Sequence, residues 1–194
     1  MSKLKREDLY SLEQYAEVRN DFRSKVMAHK KGRKVHIGPH VTLYFEDQLT
    51  MQYQVQEMLR IEKIFEAADI EEELLAYNPL IPDGSNWKAT FMIEYSDVEE
   101  RKAALEKMIG IEDMVWVQVQ GHDKVYAFAD EDLEREDESK TSAVHFMRFE
   151  LTPDMSGAVK TGASVAMGID HPAYEMRVDV VDTGVRNSLT ADLD

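Results

Sequence analysis

The sequence predicts a single α+β domain in which a mostly antiparallel β-sheet packs with several helices. Its 194 residues fall near the upper end of one ordinary domain. Segments with apolar residues at every second position are interspersed along the chain with segments of helical period. Two of the strand-like segments, residues 114–120 and 124–129, are separated only by residues 121–123 (Gly-His-Asp). They therefore predict a β-hairpin, which joins antiparallel neighbours.

No composition shift or linker divides the chain into two domains. We assign residues 1–182 to one α+β domain that opens with a helical segment at residues 6–31. Residues 183–194 are predicted to form a frayed C-terminal tail, because chain ends are poorly ordered unless they dock on the domain.

Two short helices are predicted within residues 6–31. Ser11 and Gln14 have the spacing of a capping box, in which each side chain binds the backbone N–H of the other residue. Asn20 or Asp21 can cap the second helix, since both residue types are favoured at that position.

The middle of the chain alternates between the two periods. Residues 41–46 predict a half-buried strand with Thr42, Tyr44 and Glu46 on one face, and residues 49–66 carry the strongest helical pattern. The other predicted elements are a helix at 70–77, a long turn at 79–86, a strand at 87–95, a helix from the capping box at 96–99 to Gly110, a strand at 143–151, a helix at 153–162, and strands at 164–169 and 176–181.

The composition excludes several classes of protein. There is no cysteine, which excludes disulfides, thiol catalysis, zinc ribbons and a cysteine-bound iron–sulfur cluster within this chain. Charged residues make up 31% of the sequence, and no apolar run reaches the roughly 18 residues that span a bilayer. The charged N-terminus lacks the apolar core of a signal peptide. We expect a soluble, cytoplasmic protein.

The net charge of −15 is unevenly distributed. Residues 1–36 contain ten basic and five acidic side chains, whereas the remainder is strongly acidic. An acidic body repels polyphosphate, so we expect no nucleic-acid partner. The basic residues within 25–36 are interpreted as a solvated helix end, and the alternative is a contact with one phosphate or an acidic partner.

A polar face on the helix predicted at residues 49–66 is a candidate site. Tyr53, Gln56, Glu57 and Arg60 return to one side at steps of three and four residues. An arginine among hydrogen-bonding groups suits a carboxylate or phosphate. The alternative is an exposed surface with a Glu57–Arg60 ion pair.

The histidines have no spacing that is typical of a metal site. His145 alternates with apolar residues and is predicted to be buried in the core, while His122 and His171 lie in turn-like settings. These three could form a metal site only if the fold brings them together. No dinucleotide fingerprint, P-loop or nucleophile elbow is present, so we expect no catalytic residue, no cofactor and no resident metal.

Several long segments carry a family resemblance. They are residues 28–31 (AHKK), 49–50 (LT) with 52–62 (QYQVQEMLRIE), 77–84 (YNPLIPDG), 86–90 (NWKAT) and 140–146 (KTSAVHF). The chain resembles the domain-of-unknown-function family 3501, a group of bacterial proteins, from residue 9 to residue 174. The resemblance implies one domain and no particular activity. It also implies genes beside rubrerythrin-like di-iron and iron–sulfur proteins, and hence a role in peroxide or oxygen defence.

These observations favour a non-enzymatic binding or accessory protein for an iron-based redox or oxidative-stress system. We expect it to be a homodimer or to dock on a protein partner, for which the resemblance implies a rubrerythrin-like or iron–sulfur protein. The recognition surface is predicted to combine the polar helix face with the turn formed by Asn86, Trp87 and Lys88, which offers polar and aromatic groups.

The alternative is an enzyme or a small-ligand-binding protein, with or without a bound metal. Its polar pocket would lie around Tyr53, Gln56, Arg60, Lys88 and His145. An enclosed concavity at these residues would favour this alternative, and a flat exposed patch would favour the accessory protein.

Overall fold

The computed structural model describes residues 2–132, 135 and 139–194. These residues form six α-helices, which we number in chain order: α1 (Leu12–Lys31), α2 (Gln48–Glu62), α3 (Ala67–Tyr77), α4 (Val98–Lys107), α5 (Pro153–Lys160) and α6 (Thr183–Thr190). They also form nine strands: β1 (Lys34–Ile37), β2 (Val41–Phe45), β3 (Asn86–Ile93), β4 (Val115–Val119), β5 (Lys124–Tyr126), β6 (Phe128–Ala129), β7 (Val144–Glu150), β8 (Val165–His171) and β9 (Tyr174–Val178).

The strands form two antiparallel sheets. The first sheet has the order β1-β2-β3-β7-β6, and the second has the order β5-β4-β8-β9. The α+β class and the single domain are therefore confirmed. The predicted hairpin is also confirmed, since Val117 lies opposite Val125 in the β4–β5 pair.

The main hydrophobic core lies between the two sheets. Alternation along each strand turns one set of side chains towards this core, including Leu43, Phe91 and Phe149 from the first sheet. Val117 and Met167 enter the same core from the second sheet, and all five side chains are fully buried. Long apolar side chains from both inner faces thus supply the main stabilising burial of the domain.

Helices α1, α2 and α3 form a separate layer over the other face of the first sheet. Tyr15, Phe22 and Val26 of α1 form a small apolar cluster beside α2. Met51 and Val55 of α2 belong to a second cluster that α3 completes. This helical layer and the outer face of the first sheet do not pack closely everywhere, and the space between them is the candidate site.

The N-terminal helices differ from the prediction. The structure has one helix of 20 residues, α1, in place of two short ones. Its capping box at Ser11 and Gln14 is confirmed, with Gln14 N donating to Ser11 Oγ at 3.3 Å. Asn20 and Asp21 lie inside α1, because the apolar face continues past them and packs on α2, which outweighs their preference for a cap.

Residues 183–194 also differ from the predicted frayed tail. They contain α6, which is capped by Asp182 and buries Val185 and Leu189. Leu193 is buried as well, and Asp194 N donates to the Gly84 carbonyl at 2.9 Å. The apolar residues at steps of four along this segment dock it on the domain.

The predicted strand at 41–46 is confirmed as β2, and the predicted helix at 49–66 as α2, although α2 ends at Glu62. Lys63 takes a left-handed conformation with φ 57° and ends the helix. Phe65, which falls within the predicted helix, is therefore outside α2 and 68% exposed. In the described part of the chain, no helix is both long and apolar enough to cross a bilayer.

Candidate functional site

A concave groove lies between the helical layer and the outer face of the first sheet. It consists of two adjoining cavities of about 390 and 430 Å³, both lined by Tyr77, Leu80 and Phe146. We call the first the Glu46 cavity, which Lys30, Tyr44, Glu46, Gln54, Thr90 and three methionines also line. We call the second the Lys88 cavity, which Ala76, Pro79, Lys88, Glu131, Asp132, Met147 and Arg148 also line. Each volume lies in the range of small-molecule sites.

The strand registers place the sheet side of the groove. Tyr44 lies opposite Thr90, and Thr90 lies opposite Phe146, so these three residues form one row across β2, β3 and β7. Lys88 and Arg148 form the next row. All five side chains point away from the main core because their strand neighbours are the buried residues.

Glu46 is a buried carboxylate at the junction between β2 and α2. Its backbone N–H donates to the Lys88 carbonyl at 2.8 Å, which extends the β2–β3 pairing by one residue. The side chain is 5% exposed, and Thr90 Oγ1 donates to Glu46 Oε1 at 2.8 Å. Glu46 Oε2 is buried and has no hydrogen-bond partner among the described residues. A buried oxygen of this kind is costly in free energy unless it acquires a donor.

Lys88 lies opposite Glu46 but does not neutralise it. Its Nζ donates to the carbonyl of Pro79, and it forms no salt bridge with a described residue. Burial lowers the pKa of Lys88, and the nearby Asp83 carboxylate partly opposes this shift. The ammonium group therefore lies in the wall of its cavity with donor capacity to spare.

Arg148 is fully engaged at the edge of the Lys88 cavity. It binds Glu131 through two hydrogen bonds of 2.8 and 2.9 Å, and it binds Glu150 at 2.6 Å. Its guanidinium also lies 4.4 Å from the centre of the Phe128 ring. These contacts hold the pKa of Glu131 below its usual value and fix Arg148 as a wall residue.

The predicted polar face of α2 lies away from the groove. Gln56 is fully buried and accepts a 2.6 Å hydrogen bond from Tyr10 N. Glu57 accepts hydrogen bonds from the Tyr15 hydroxyl at 2.7 Å and from Arg19 at 2.8 Å. Arg19 keeps the pKa of Glu57 below its usual value. Both α2 residues thus join α2 to the N-terminal segment.

The two other residues of this face have different surroundings. Arg60 is exposed on α2. Tyr53 is half-buried, and its ring centre lies 6.2 Å from that of Phe22. Neither residue lines the groove, so the structure does not bring them to Lys88 as the predicted pocket required.

Of the predicted turn surface, only Lys88 lines the groove. Trp87 is fully buried and donates from Nε1 to the Leu189 carbonyl at 2.9 Å. Asn86 is 1% exposed and donates to Glu150 at 3.2 Å. These two side chains are therefore not available to a protein partner on this surface.

The three histidines that could have formed a metal site lie in different parts of the structure. His145 is fully buried, as predicted, with Nδ1 2.5 Å from Asp130 Oδ2 and Nε2 2.9 Å from Thr141 Oγ1. His122 lies in the turn after β4, while His171 lies at the opposite end of the second sheet. Among the described residues, no three histidine, aspartate or glutamate side chains are grouped as metal ligands would be.

Four residues that line the groove were not predicted as site residues: Tyr44, Glu46, Thr90 and Phe146. A usable signal was present, because Tyr44 and Glu46 were predicted on the polar face of a half-buried strand. A glutamate and a tyrosine side by side on such a face form a surface that a ligand or another element can cover.

Comparisons with known proteins place the chain among proteins whose function is unknown. A family model described as "Protein of unknown function (DUF3501)" matches residues 3–193, which confirms the resemblance. A crystal structure of a novel protein of unknown function from Burkholderia pseudomallei K96243, at 1.90 Å resolution, is 51% identical in sequence. The comparison covers 100% of both chains with a TM-score of 0.95. A comparison with curated proteins finds no match.

Proposed function

The chain belongs to the DUF3501 family, and we propose that it binds a small organic molecule in the groove. The observation that carries the proposal is a pair of adjoining cavities with a buried, half-satisfied carboxylate in one and a lysine in the other. The Glu46 cavity offers this acceptor and the Lys88 cavity offers a donor, beside apolar side chains such as Leu80 and Phe146. This is the arrangement that small-molecule sites use to combine burial with orientation.

The proposal corresponds to the ligand-binding alternative predicted from the sequence, with a different set of residues. Lys88 remains in the pocket, while Tyr53, Gln56, Arg60 and His145 lie elsewhere. The predicted pocket of five residues is therefore not present as such, and the concavity at Lys88 is what supports ligand binding over a flat recognition patch.

Blocking the groove tests the proposal. Saturation-transfer NMR with a panel of cationic, anionic and neutral fragments would be run on the wild type and on groove variants. Ala76→Trp narrows the Lys88 cavity, and Gln54→Trp narrows the Glu46 cavity. We expect at least about a tenfold loss of affinity in one of the two variants for every fragment bound.

Ala68→Trp is the matched control, because Ala68 and Ala76 are both exposed residues of α3 and only Ala76 lines the groove. The control should bind fragments like the wild type. The proposal would be contradicted if no fragment of the panel binds, or if the fragments bind both groove variants with the affinity they have for the wild type.

The role predicted from the family resemblance, an accessory to an iron-based redox system, stays a prediction. Arg60 is its most direct test, since this exposed arginine contributes no described hydrogen bond to the fold. Calorimetry of the wild type and Arg60→Ala against a rubrerythrin-like protein should give a loss of about 2 kcal/mol of binding free energy. Equal affinities of the wild type and Arg60→Ala would show that Arg60 does not contribute to binding this partner.

A further inference from the structure

We infer that the Glu46 cavity takes the cationic end of an organic amine or amidine, with the Glu46 carboxylate as its counter-ion. The inference rests on the proposed function and names the chemical class of the ligand. It depends on three features of the cavity: an unpaired buried acceptor, three aromatic residues in the lining, and apolar walls of adaptable shape.

The acceptor is the first feature. Thr90 donates to Glu46 Oε1, which leaves Oε2 as a buried carboxylate oxygen without a partner in the described part of the protein. Lys88 lies directly across the strand pair, yet its ammonium group binds the Pro79 carbonyl instead. An ionised carboxylate only accepts hydrogen bonds, so the group that complements it must donate. A cationic donor forms a stronger hydrogen bond to a carboxylate than a neutral donor does.

The aromatic residues are the second feature. Tyr44 and Phe146 flank Thr90 in the row across the sheet, and Tyr77 faces them from the helical layer. Aromatic rings attract cations through the negative potential of their faces, and sites for organic ammonium groups use several rings together. An anionic ligand would gain nothing from these rings and would be repelled by Glu46.

The walls are the third feature. Met27, Met51 and Met92 line the cavity from α1, α2 and β3. Methionine side chains adapt to irregular apolar shapes, so the walls suit a ligand with a hydrocarbon body next to its charged end. The net charge of −15 raises the local concentration of cations around the protein.

Among the described residues that line this cavity, Lys30 is the one cation. It is half-buried on α1 and forms no salt bridge within the described residues, so it competes with a bound cation by repulsion. Its removal is therefore expected to strengthen cation binding, whereas an anion-binding cavity would be weakened by the same change.

Calorimetry with benzylamine, benzyl alcohol and benzoate tests the inference, since these probes share a ring and differ in charge. We expect benzylammonium to bind at least about tenfold more tightly than benzyl alcohol, and benzoate not to bind. Glu46→Gln should remove this preference, and Lys30→Met should increase the affinity for benzylammonium. Glu175→Gln makes the same charge change at an exposed residue of β9 and should have no effect.

Thr90→Val provides a second variant, because it removes the hydroxyl that positions Glu46 while keeping the size of the side chain. It should weaken benzylammonium binding about threefold or more. The inference is overturned if benzylammonium does not bind, if benzoate binds as well as benzylammonium, or if Glu46→Gln keeps the preference. The proposed function would still hold in that case if anionic or neutral fragments bind the wild type and lose affinity in Ala76→Trp or Gln54→Trp.

Discussion

The guanidinium of Arg33 donates a 2.5 Å hydrogen bond to the carboxylate of Asp192 inside the protein. Arg33 follows α1, and Asp192 follows α6, so this pair joins two segments that are 159 residues apart. Arg33 also donates to the carbonyls of Phe45 and Ser188 and lies 3.3 Å from Asp47. One buried cation therefore links β2, the start of α2 and the last helix.

Asp192→Asn should change how stability depends on pH. Burial raises the pKa of Asp192 to about 6, although Arg33 opposes the shift. Because the folded-state pKa lies above the unfolded one, the contribution of Asp192 to stability is fully present below about pH 4 and is lost as the pH rises through 6. Urea unfolding at pH 4 to 7.5 should show the wild type losing about 3 kcal/mol relative to Asp192→Asn.

Asp154→Asn, at an exposed position near the start of α5, is the control for this measurement. Its unfolding free energy should follow that of the wild type across the same pH range. A constant difference between the wild type and Asp192→Asn would show that Asp192 does not titrate in this window.

His145→Ala should lower the free energy of unfolding by about 1–3 kcal/mol. The change leaves a cavity and removes the partner of Asp130 and Thr141, which are both tied to the imidazole ring. His122→Ala, in the turn after β4, should change stability by less than about 0.5 kcal/mol. Equal melting temperatures of His145→Ala and the wild type would contradict the assignment of His145 as a structural residue.

Gly168→Ala and Gly157→Ala should have opposite effects on stability. A Cβ atom at Gly168 in β8 would overlap the indole ring of Trp116, which lies against this glycine, so the first change should destabilise the protein by about 1–3 kcal/mol. Gly157 lies in α5 with no atom near the added Cβ, and alanine there should stabilise by about 0.5–1 kcal/mol. Thermal unfolding of both variants gives the sign of each effect directly.

Glu57→Ala should destabilise the protein, whereas Arg60→Ala should not. Removal of Glu57 leaves the buried Tyr15 hydroxyl without its acceptor and frees Arg19, at a cost of about 1–3 kcal/mol. Arg60 is exposed, so its removal should change stability by less than about 0.5 kcal/mol. Denaturant titrations of the two variants measure the difference in the free energy of unfolding. A larger loss of stability for Arg60→Ala than for Glu57→Ala would contradict the assignment of Glu57 as the structural residue.

Local patterns in the sequence predicted the elements that depend on local interactions. The helix around Val55 and the hairpin at β4 and β5 are confirmed, because helical period and a short turn are properties of a few neighbouring residues. The division into two sheets was not predicted. Phe128, expected to continue the hairpin, instead pairs with Arg148 in the first sheet. That pairing depends on a partner twenty residues away, which local period does not reveal.

The candidate site was predicted less well than the fold. Trp87 shares its strand face with Ala89 and Phe91, so its burial could be predicted from alternation, yet its aromatic ring favoured a surface role. Glu46 was placed on the correct face of its strand, but the helical layer that buries it is a tertiary feature. The sequence therefore predicted which side chains leave the main core and could not predict which of them a second layer would enclose.

The docking of α6 sets an order for folding during synthesis. Trp87 and Arg33 bind the carbonyls of Leu189 and Ser188, which the ribosome adds more than 100 residues later. Until α6 has left the ribosome, the nascent chain therefore holds an indole N–H without its acceptor and an arginine that has met only some of its acceptors, those at Phe45 and Glu46. Contacts of such large sequence separation slow folding and leave apolar surface open in the meantime. The groove shares β2 and β3 with these contacts, so the strands that carry it gain their full set of contacts only after synthesis has passed residue 189.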